Sequence, residues 1–229
     1  MKINKYFLIF LSVIFLMSCE KDTEGLSSVT YYCDLELKGN SVELVALNGT
    51  YTEPGWDATE KGVDVSANVT VAGTVNASVA GLYTLTYSVK NVDGFAKSLT
   101  RRIIVADATP SALESGVYTV SSSSNRNGVA YGRDFPILIF QVSPAEFFIS
   151  DFLGGWYEQR AGYGSNYAMT GRFTLAGDNT LSLVSSSIIG WGDGLDGISN
   201  GVYNPATKTI SWTATYVGTL NFNVTATKE

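Results

Sequence analysis

Two stretches of the chain hold most of the side chains that could meet a ligand. Trp156, Tyr157, Tyr163 and Tyr167 are interleaved with Arg160 and Asn166 among glycines, and Trp191, Asp193 and Asp196 sit in a second glycine-rich run. Sugar recognition needs flat aromatic faces for the apolar C–H side of a ring and amide, carboxylate or guanidinium groups for its hydroxyls. Glycines let both come close. The ligand-binding set read from the sequence is therefore Trp156, Tyr163, Tyr167, Trp191, Asp193, Arg160 and Asn166. The same inventory also suits the core of a β-domain, where buried Trp and Tyr are common, and Trp212 on its alternating strand is assigned to that core. Tyr163, Tyr167 and Trp191 are the members expected at the surface.

Other chemistries are poorly supplied. The chain contains no histidine, which removes Ser-His-Asp and Cys-His devices and the usual His-containing zinc sites. Two cysteines cannot build a Cys₄ site or a disulfide framework. Gly192-Asp193-Gly194-Leu195-Asp196-Gly197 offers two carboxylates, but calcium takes about six to eight oxygens and the full EF-hand pattern is missing, so a polar turn is expected. A histidine-free glycosidase would need paired carboxylates, for example Glu146, Asp151 or Glu158. Glu146 is better read as a capping residue, and the expectation is a protein without catalytic residues, cofactor or metal.

The N-terminus carries an address. Lys2 and Lys5 precede an uncharged apolar run from Tyr6 to Met17, too short for a membrane-spanning helix but suited to a secretory signal. Leu16-Met17-Ser18-Cys19 resembles a bacterial lipobox, which makes Cys19 the lipidated residue and residues 1–18 the signal peptide. The polar segment 19–28, opening Cys19-Glu20-Lys21-Asp22-Thr23-Glu24, resembles the charged surface-export signal of Bacteroidetes lipoproteins. That likeness implies an outer-membrane protein facing the cell exterior. Cleavage before Cys19 removes two lysines and no acid, leaving 13 basic against 21 acidic residues, a net charge of −8. Such a chain gains nothing from counterion release at phosphates, so nucleic acid is excluded as a partner, and acyl chains must hold it to a bilayer. Cys33 then lacks an intramolecular partner and reads as a small buried apolar residue on a strand.

The elements that must position these groups are strands. Ser41–Leu47, Val63–Val65, Val69–Val71, Leu82–Val89 and Leu99–Val105 alternate with period two, separated by Asn48-Gly49, Pro54-Gly55, Ala80-Gly81 and Asp93-Gly94 turns. Tyr51-Thr52-Glu53-Pro54-Gly55-Trp56-Asp57-Ala58, Gly81-Leu82-Tyr83-Thr84-Leu85-Thr86-Tyr87-Ser88-Val89 and Arg101-Arg102-Ile103-Ile104-Val105 together resemble the immunoglobulin-like repeat of bacterial surface proteins. The resemblance implies a β-sandwich over 29–106 serving as spacer or presentation module, with Glu53 as a turn carboxylate and Trp56 packed at the turn. A polar, proline-containing hinge is placed at 107–113, and the second domain at 114–229.

In that second domain Val117–Val120, Phe135–Phe140, Arg172–Leu175, Thr180–Val184, Thr209–Tyr216 and Leu220–Thr225 read as strands. Ser143-Pro144-Ala145-Glu146 has the form of a helix N-cap with proline in the first turn and a capping-box glutamate. Phe148 and Phe152 would then share a face of one short helix, stopped by Gly154-Gly155. The fold class is thus all-β: an immunoglobulin-like sandwich followed by an antiparallel barrel or sandwich plugged by one helix. Asp151-Phe152-Leu153-Gly154-Gly155-Trp156-Tyr157, Trp191-Gly192-Asp193 and Tyr203–Trp212 resemble the C-terminal part of two-domain Bacteroidetes lipoproteins. Similar lipoproteins often accompany an outer-membrane transporter in polysaccharide capture. The resemblance implies a lipid-anchored, non-catalytic protein that binds a polysaccharide or oligosaccharide and belongs to an outer-membrane transporter complex. The alternative is a structural or adhesive subunit that docks a protein partner.

Overall fold

The computed structural model describes residues 29–229; Cys19, the signal peptide and the acidic tether up to Ser28 lie outside the described residues. Residues 29–106 form seven strands: β1 (Asp34–Leu37), β2 (Val42–Ala46), β3 (Trp56–Glu60), β4 (Val63–Asp64), β5 (Thr70–Ala72), β6 (Gly81–Lys90) and β7 (Ala96–Ala106). They make two sheets, β1-β3-β4 and β2-β7-β6-β5, with β2 parallel to β7 and the other pairs antiparallel. Alternation on the long β6–β7 hairpin sends Leu85, Tyr87, Val89, Ile103 and Val105 into the core between the sheets. Cys33, just before β1, is buried in that core, and burial pushes its thiol pKa up, as expected of a packing residue.

The C-terminal sheet is built from β8 (Gly116–Val120), β9 (Asn125–Arg126), β10 (Val129–Ala130), β11 (Phe135–Ser143), β12 (Glu146–Ile149), β13 (Thr170–Leu175), β14 (Leu181–Ser187), β15 (Gly197–Asn204), β16 (Thr209–Tyr216) and β17 (Leu220–Lys228). Antiparallel pairing runs β14-β13-β12-β11-β8-β17-β16-β15. The two end strands meet where Thr180 bridges Val202 and the Tyr203 N–H donates to Asn179 O at 2.9 Å. The result is a curled, barrel-like sheet closed along part of its length. Its interior is one aromatic-rich core, including Phe147, Phe152, Trp156, Phe173, Trp212 and Phe222.

The helix expected after Ser143 is a strand. Ser143 pairs with Glu146 across a two-residue turn in which Ala145 has φ +62°, so the cap-like tetrapeptide closes the β11–β12 hairpin. Phe147 and Ile149 point into the barrel core, while Phe148 lies on the opposite face against Phe140 with ring centroids 4.8 Å apart. Burial on alternate residues outweighed the local capping signal, because a helix would have put Phe147 and Ile149 on different faces. The helical residues come later: one π-helical turn at Trp156–Arg160 and a short 3-10 turn at Ser165–Tyr167.

The π-turn is launched by Gly154 and Gly155, at φ +59° and +85°. A Cβ on either would lie 3.0 Å or less from Val224 or Phe135, so both glycines answer to space as well as to dihedral angle. Asp151 fixes this corner from within. It is fully buried, and its carboxylate accepts the N–H groups of Leu153, Gly155 and Met169 at 2.8, 2.8 and 3.0 Å. Trp212 Nε1 donates to Phe152 O, and the Tyr131 hydroxyl donates to Leu153 O. The Asp151-Phe152-Leu153-Gly154-Gly155-Trp156 block is therefore a plug that closes the barrel interior.

Candidate functional site

The plug presents its following residues, Tyr157 to Tyr167, to the loop between β14 and β15, and aromatic rings from both converge on Trp191. Its centroid lies 4.8 Å from Tyr157 and 4.9 Å from Tyr167, both close to edge-on, and 6.1 Å from Tyr216 in a stacked arrangement. Tyr163 lies 5.4 Å from Tyr167 and stacks on Tyr157 at 6.0 Å. Edge-to-face and offset stacks at these separations are the favoured aromatic geometries. Tyr163 is 56% and Trp191 43% exposed, so the cluster offers ring surface to solvent while Tyr157 packs on core residue Phe222.

The loop that carries Trp191 is held at several points. Buried Ile188 donates its N–H to Asp193 O, Gly192 donates to Ile188 O, and Gly190 donates to Asn166 O at 2.7 Å. Gly190 allows a close approach, since a Cβ there would fall 2.5 Å from the Tyr167 ring. Asp193 accepts the Tyr216 hydroxyl through both oxygens, at 2.9 and 3.0 Å. Burial first, and then this carboxylate, push the Tyr216 hydroxyl pKa up to about 12, keeping it a donor across the physiological range. The Trp191 ring is thus preorganised.

The other sequence-selected residues take different places. Trp156 is buried in the barrel core, edge-on to Tyr131 and Phe222, so it belongs to the core and is removed from the ligand-binding set. It ends the unbroken buried run Asp151–Trp156, and the residues after it in the π-turn are half-buried or exposed, so the core claims the first ring of the turn. Arg160 lies with its guanidinium 4.1 Å from the Trp156 ring and donates from Nε to Tyr131 O; that head braces the plug. Asn166 is exposed, and its backbone carbonyl anchors the Trp191 loop. Asp196 accepts the Gly218 N–H at 2.7 Å, so the two loop carboxylates serve separate turns. Among the described residues no group of three or more His, Cys, Asp or Glu side chains is arranged for a metal.

The three carboxylates considered for acid–base work are dispersed by role. Asp151 holds the plug, Glu146 pairs with Arg172 at 3.2 Å on the surface, and Glu158 faces the first domain. Glu53 turns inward. Its carboxylate accepts the hydroxyls of Tyr51 and Tyr87 and the N–H of Gly55, and pairs with Arg101, whose side chain is wholly buried. Arg101 also donates to Lys38 O. Burial would raise the Glu53 pKa, but these donors hold it below the ordinary carboxylate range.

Sequence reading missed two contributors. In the sequence Tyr216 reads only as the end of a strand, yet its inward position in the Ile210, Trp212, Ala214, Tyr216 alternation stacks it on Trp191. Arg126, which donates to the Tyr157 hydroxyl at 3.3 Å, sits on a two-residue strand with no sequence signal of its own.

Comparison with known proteins places both parts. Residues 35–105 match the family described as bacterial surface protein, Ig-like domain, and residues 107–228 match a family defined on a C-terminal domain. The crystal structure of the lipoprotein BT2262 from Bacteroides thetaiotaomicron is 43% identical, covers 86% of this chain and all of its own, and superposes with a TM-score of 0.79. The M60 catalytic domain with the CBM51-1 and CBM51-2 domains of Clostridium perfringens ZmpB aligns at 15% identity over 53% of this chain and 15% of its own. Its TM-score of 0.30 is too low to carry an argument. No curated protein matches the chain. Among the described residues no helix is long and apolar enough to cross a membrane.

Proposed function

The chain belongs to the family of the Bacteroides lipoprotein BT2262, a bacterial-surface Ig-like domain followed by a β-rich C-terminal domain, and we propose that it is a glycan-binding lipoprotein of the outer membrane. Cys19 carries the lipid, the Ig-like domain stands the second domain off the bilayer, and the second domain presents its aromatic cluster to the cell exterior. No bond is made or broken. Bound glycan is handed to an outer-membrane transporter complex engaged in polysaccharide uptake.

One observation carries this reading: Trp191 and Tyr163 are about half exposed although three further tyrosines pack against the indole, two at steep angles and one stacked. Fixing an exposed ring costs conformational entropy that burial does not offset, which is what a stacking surface for a sugar requires. Two ring contacts at about 1 kcal/mol each, with two or three hydrogen bonds of similar net size, give about 4–5 kcal/mol. That corresponds to a dissociation constant of roughly a millimolar for a single site. Affinity electrophoresis of the full chain in detergent through gels of neutral polysaccharides suits so weak a site. Retardation by at least one polysaccharide, lost in Trp191→Ala with an unchanged far-ultraviolet spectrum, is the expected result. Identical migration in every gel would overturn the reading.

Ile189 and Val217, 72% and 55% exposed, adjoin the aromatic loop and Tyr216 in sequence, and they favour a second reading in which a protein partner docks there. Trp191→Ala would then weaken co-purification with that partner and leave gel mobility unchanged.

A further inference from the structure

The outward face of β7 meets the second domain. Odd-numbered Ile103 and Val105 enter the Ig-like core, whereas even-numbered Ile104 and Ala106 are buried against Leu138 and Phe140 of β11. One rung along the same face, Thr84 and Arg102 are cross-strand partners, just as Leu82 and Ile104 are. There the dry contact gives way to a groove of about 430 Å³ between the domains, a size typical of small-ligand clefts (about 300–1,000 Å³).

Leu82, Thr84 and Arg102 form its wall on the first domain. Phe148 provides apolar surface from the second, and Glu158, Gln159 and Ser165 come from the segment that follows the plug. Arg102 and Glu158 are both half-buried, yet the ion pairs of the described residues involve other side chains. Burial pushes the Glu158 pKa up, and the Arg102 charge counters it, so the two sense each other across the groove without closing on one another. A guanidinium presents paired donors and a carboxylate paired acceptors, and each matches two adjacent hydroxyls. The opposite charges cancel, the remaining polar lining is hydroxyl and amide, and the apolar patch suits the C–H face of a ring. Ionic ligands gain little from such a site; a neutral polyhydroxyl compound can satisfy all of it.

We propose that this interdomain groove is a second binding site, for a neutral oligosaccharide, which the Ig-like domain completes with Arg102 and Thr84. The ligand class rests on the glycan reading above, but no residue of the aromatic cluster is used. The segment 157–167 is the common wall: Tyr157, Tyr163 and Tyr167 face the cluster, while Glu158, Gln159 and Ser165 face the groove. The Ig-like domain is then part of the binding machinery as well as a spacer.

The test is calorimetric titration of the full chain in detergent with neutral gluco-, manno-, galacto- and xylo-oligosaccharides of two to six residues. Arg102→Ala and Glu158→Gln are expected to weaken binding of at least one of them tenfold or more. Arg102→Lys, which keeps the charge and loses the paired donors, falls between. Thr84→Val and Glu158→Gln serve as the readout if Arg102→Ala lowers the melting temperature. Loss in Trp191→Ala with wild-type binding in all groove variants overturns the groove and leaves the cluster standing. Loss in the groove variants with binding retained in Trp191→Ala supports the groove and removes the cluster. No binding by the wild-type chain overturns both.

Discussion

Replacing Glu53 by Gln is expected to destabilise the Ig-like domain by about 2–3 kcal/mol, less than the about 3–5 kcal/mol for breaking a fully buried ion pair because the Glu53 side chain is 28% exposed. The structure sets the size. The Arg101 side chain is 0% exposed; among the described residues its Nε has no hydrogen-bond partner and Glu53 is its one ion-pair partner, which also accepts two tyrosine hydroxyls. Glutamine keeps the shape but turns one acceptor oxygen into a donor that faces Arg101 or a tyrosine, leaving a buried charge uncompensated. Against a total stability of about 5–15 kcal/mol this is a large fraction. Urea unfolding with pulsed hydrogen exchange, read on peptides from β6 and β7, separates this domain from its neighbour. With a slope of about 1.5 kcal/mol per molar or less for so small a domain, the midpoint falls by roughly 1.5 M or more. The double variant Glu53→Gln/Arg101→Met should lose much less than the sum of its single changes, because the stranded charge is gone. The effect is also pH-dependent. The Glu53 pKa is depressed on folding, so its contribution is complete above the unfolded value of about 4.3 and disappears as pH falls through the lower folded value. A cost below about 1 kcal/mol at pH 7, or strict additivity in the double variant, would refute the reasoning.

Asp151 has the opposite sign: burial raises its pKa to about 7, so between about pH 4 and 7 the folded state holds a proton that the unfolded state has released. Stability of the second domain is expected to fall across that window, by on the order of 4 kcal/mol, and urea midpoints at pH 5 and pH 8 would check it. Asp151→Asn should flatten that slope and, at pH 5 where the acid is already neutral, cost about 1 kcal/mol, because Oδ1 keeps two acceptor bonds while the amide NH2 replaces the oxygen that accepts the Gly155 N–H. Gly190→Ala drives a methyl into Tyr167 and is expected to cost about 1–3 kcal/mol, with a changed near-ultraviolet aromatic spectrum; an unaltered spectrum would mean the loop yields. Phe140→Ala, emptying the buried contact between the domains, should cost about 3–5 kcal/mol and split one calorimetric transition into two. Intact-mass analysis of membrane-extracted protein should find a diacylglyceryl adduct on Cys19.

The sequence by itself determined the class of fold and the first domain's pattern. Period-two burial is a local property, so most strands could be read directly, and the Glu-Pro-Gly and Arg-Arg-Ile blocks marked the Ig-like domain without any long-range information. What it could not say is that Glu53 and Arg101, 48 residues apart, are one ion pair, since partners across a sandwich share no sequence spacing. The same limit explains the helix expected after Ser143. Caps and turns share Ser, Pro and Glu, and only the burial of Phe147 and Ile149 on one face decides between them.

Two signals were present and would have told more. Ile103-Ile104-Val105 and Ile137-Leu138-Ile139-Phe140 break the alternation, as strands buried on both faces do, and they are the strands that join the two domains. Composition could list the aromatic residues of the second domain but could not sort them. Trp156 and Trp191 both stand beside glycines, yet one fills the barrel and the other lies at its edge. That division depends on which rings the closing sheet has room for, a matter of volume in three dimensions.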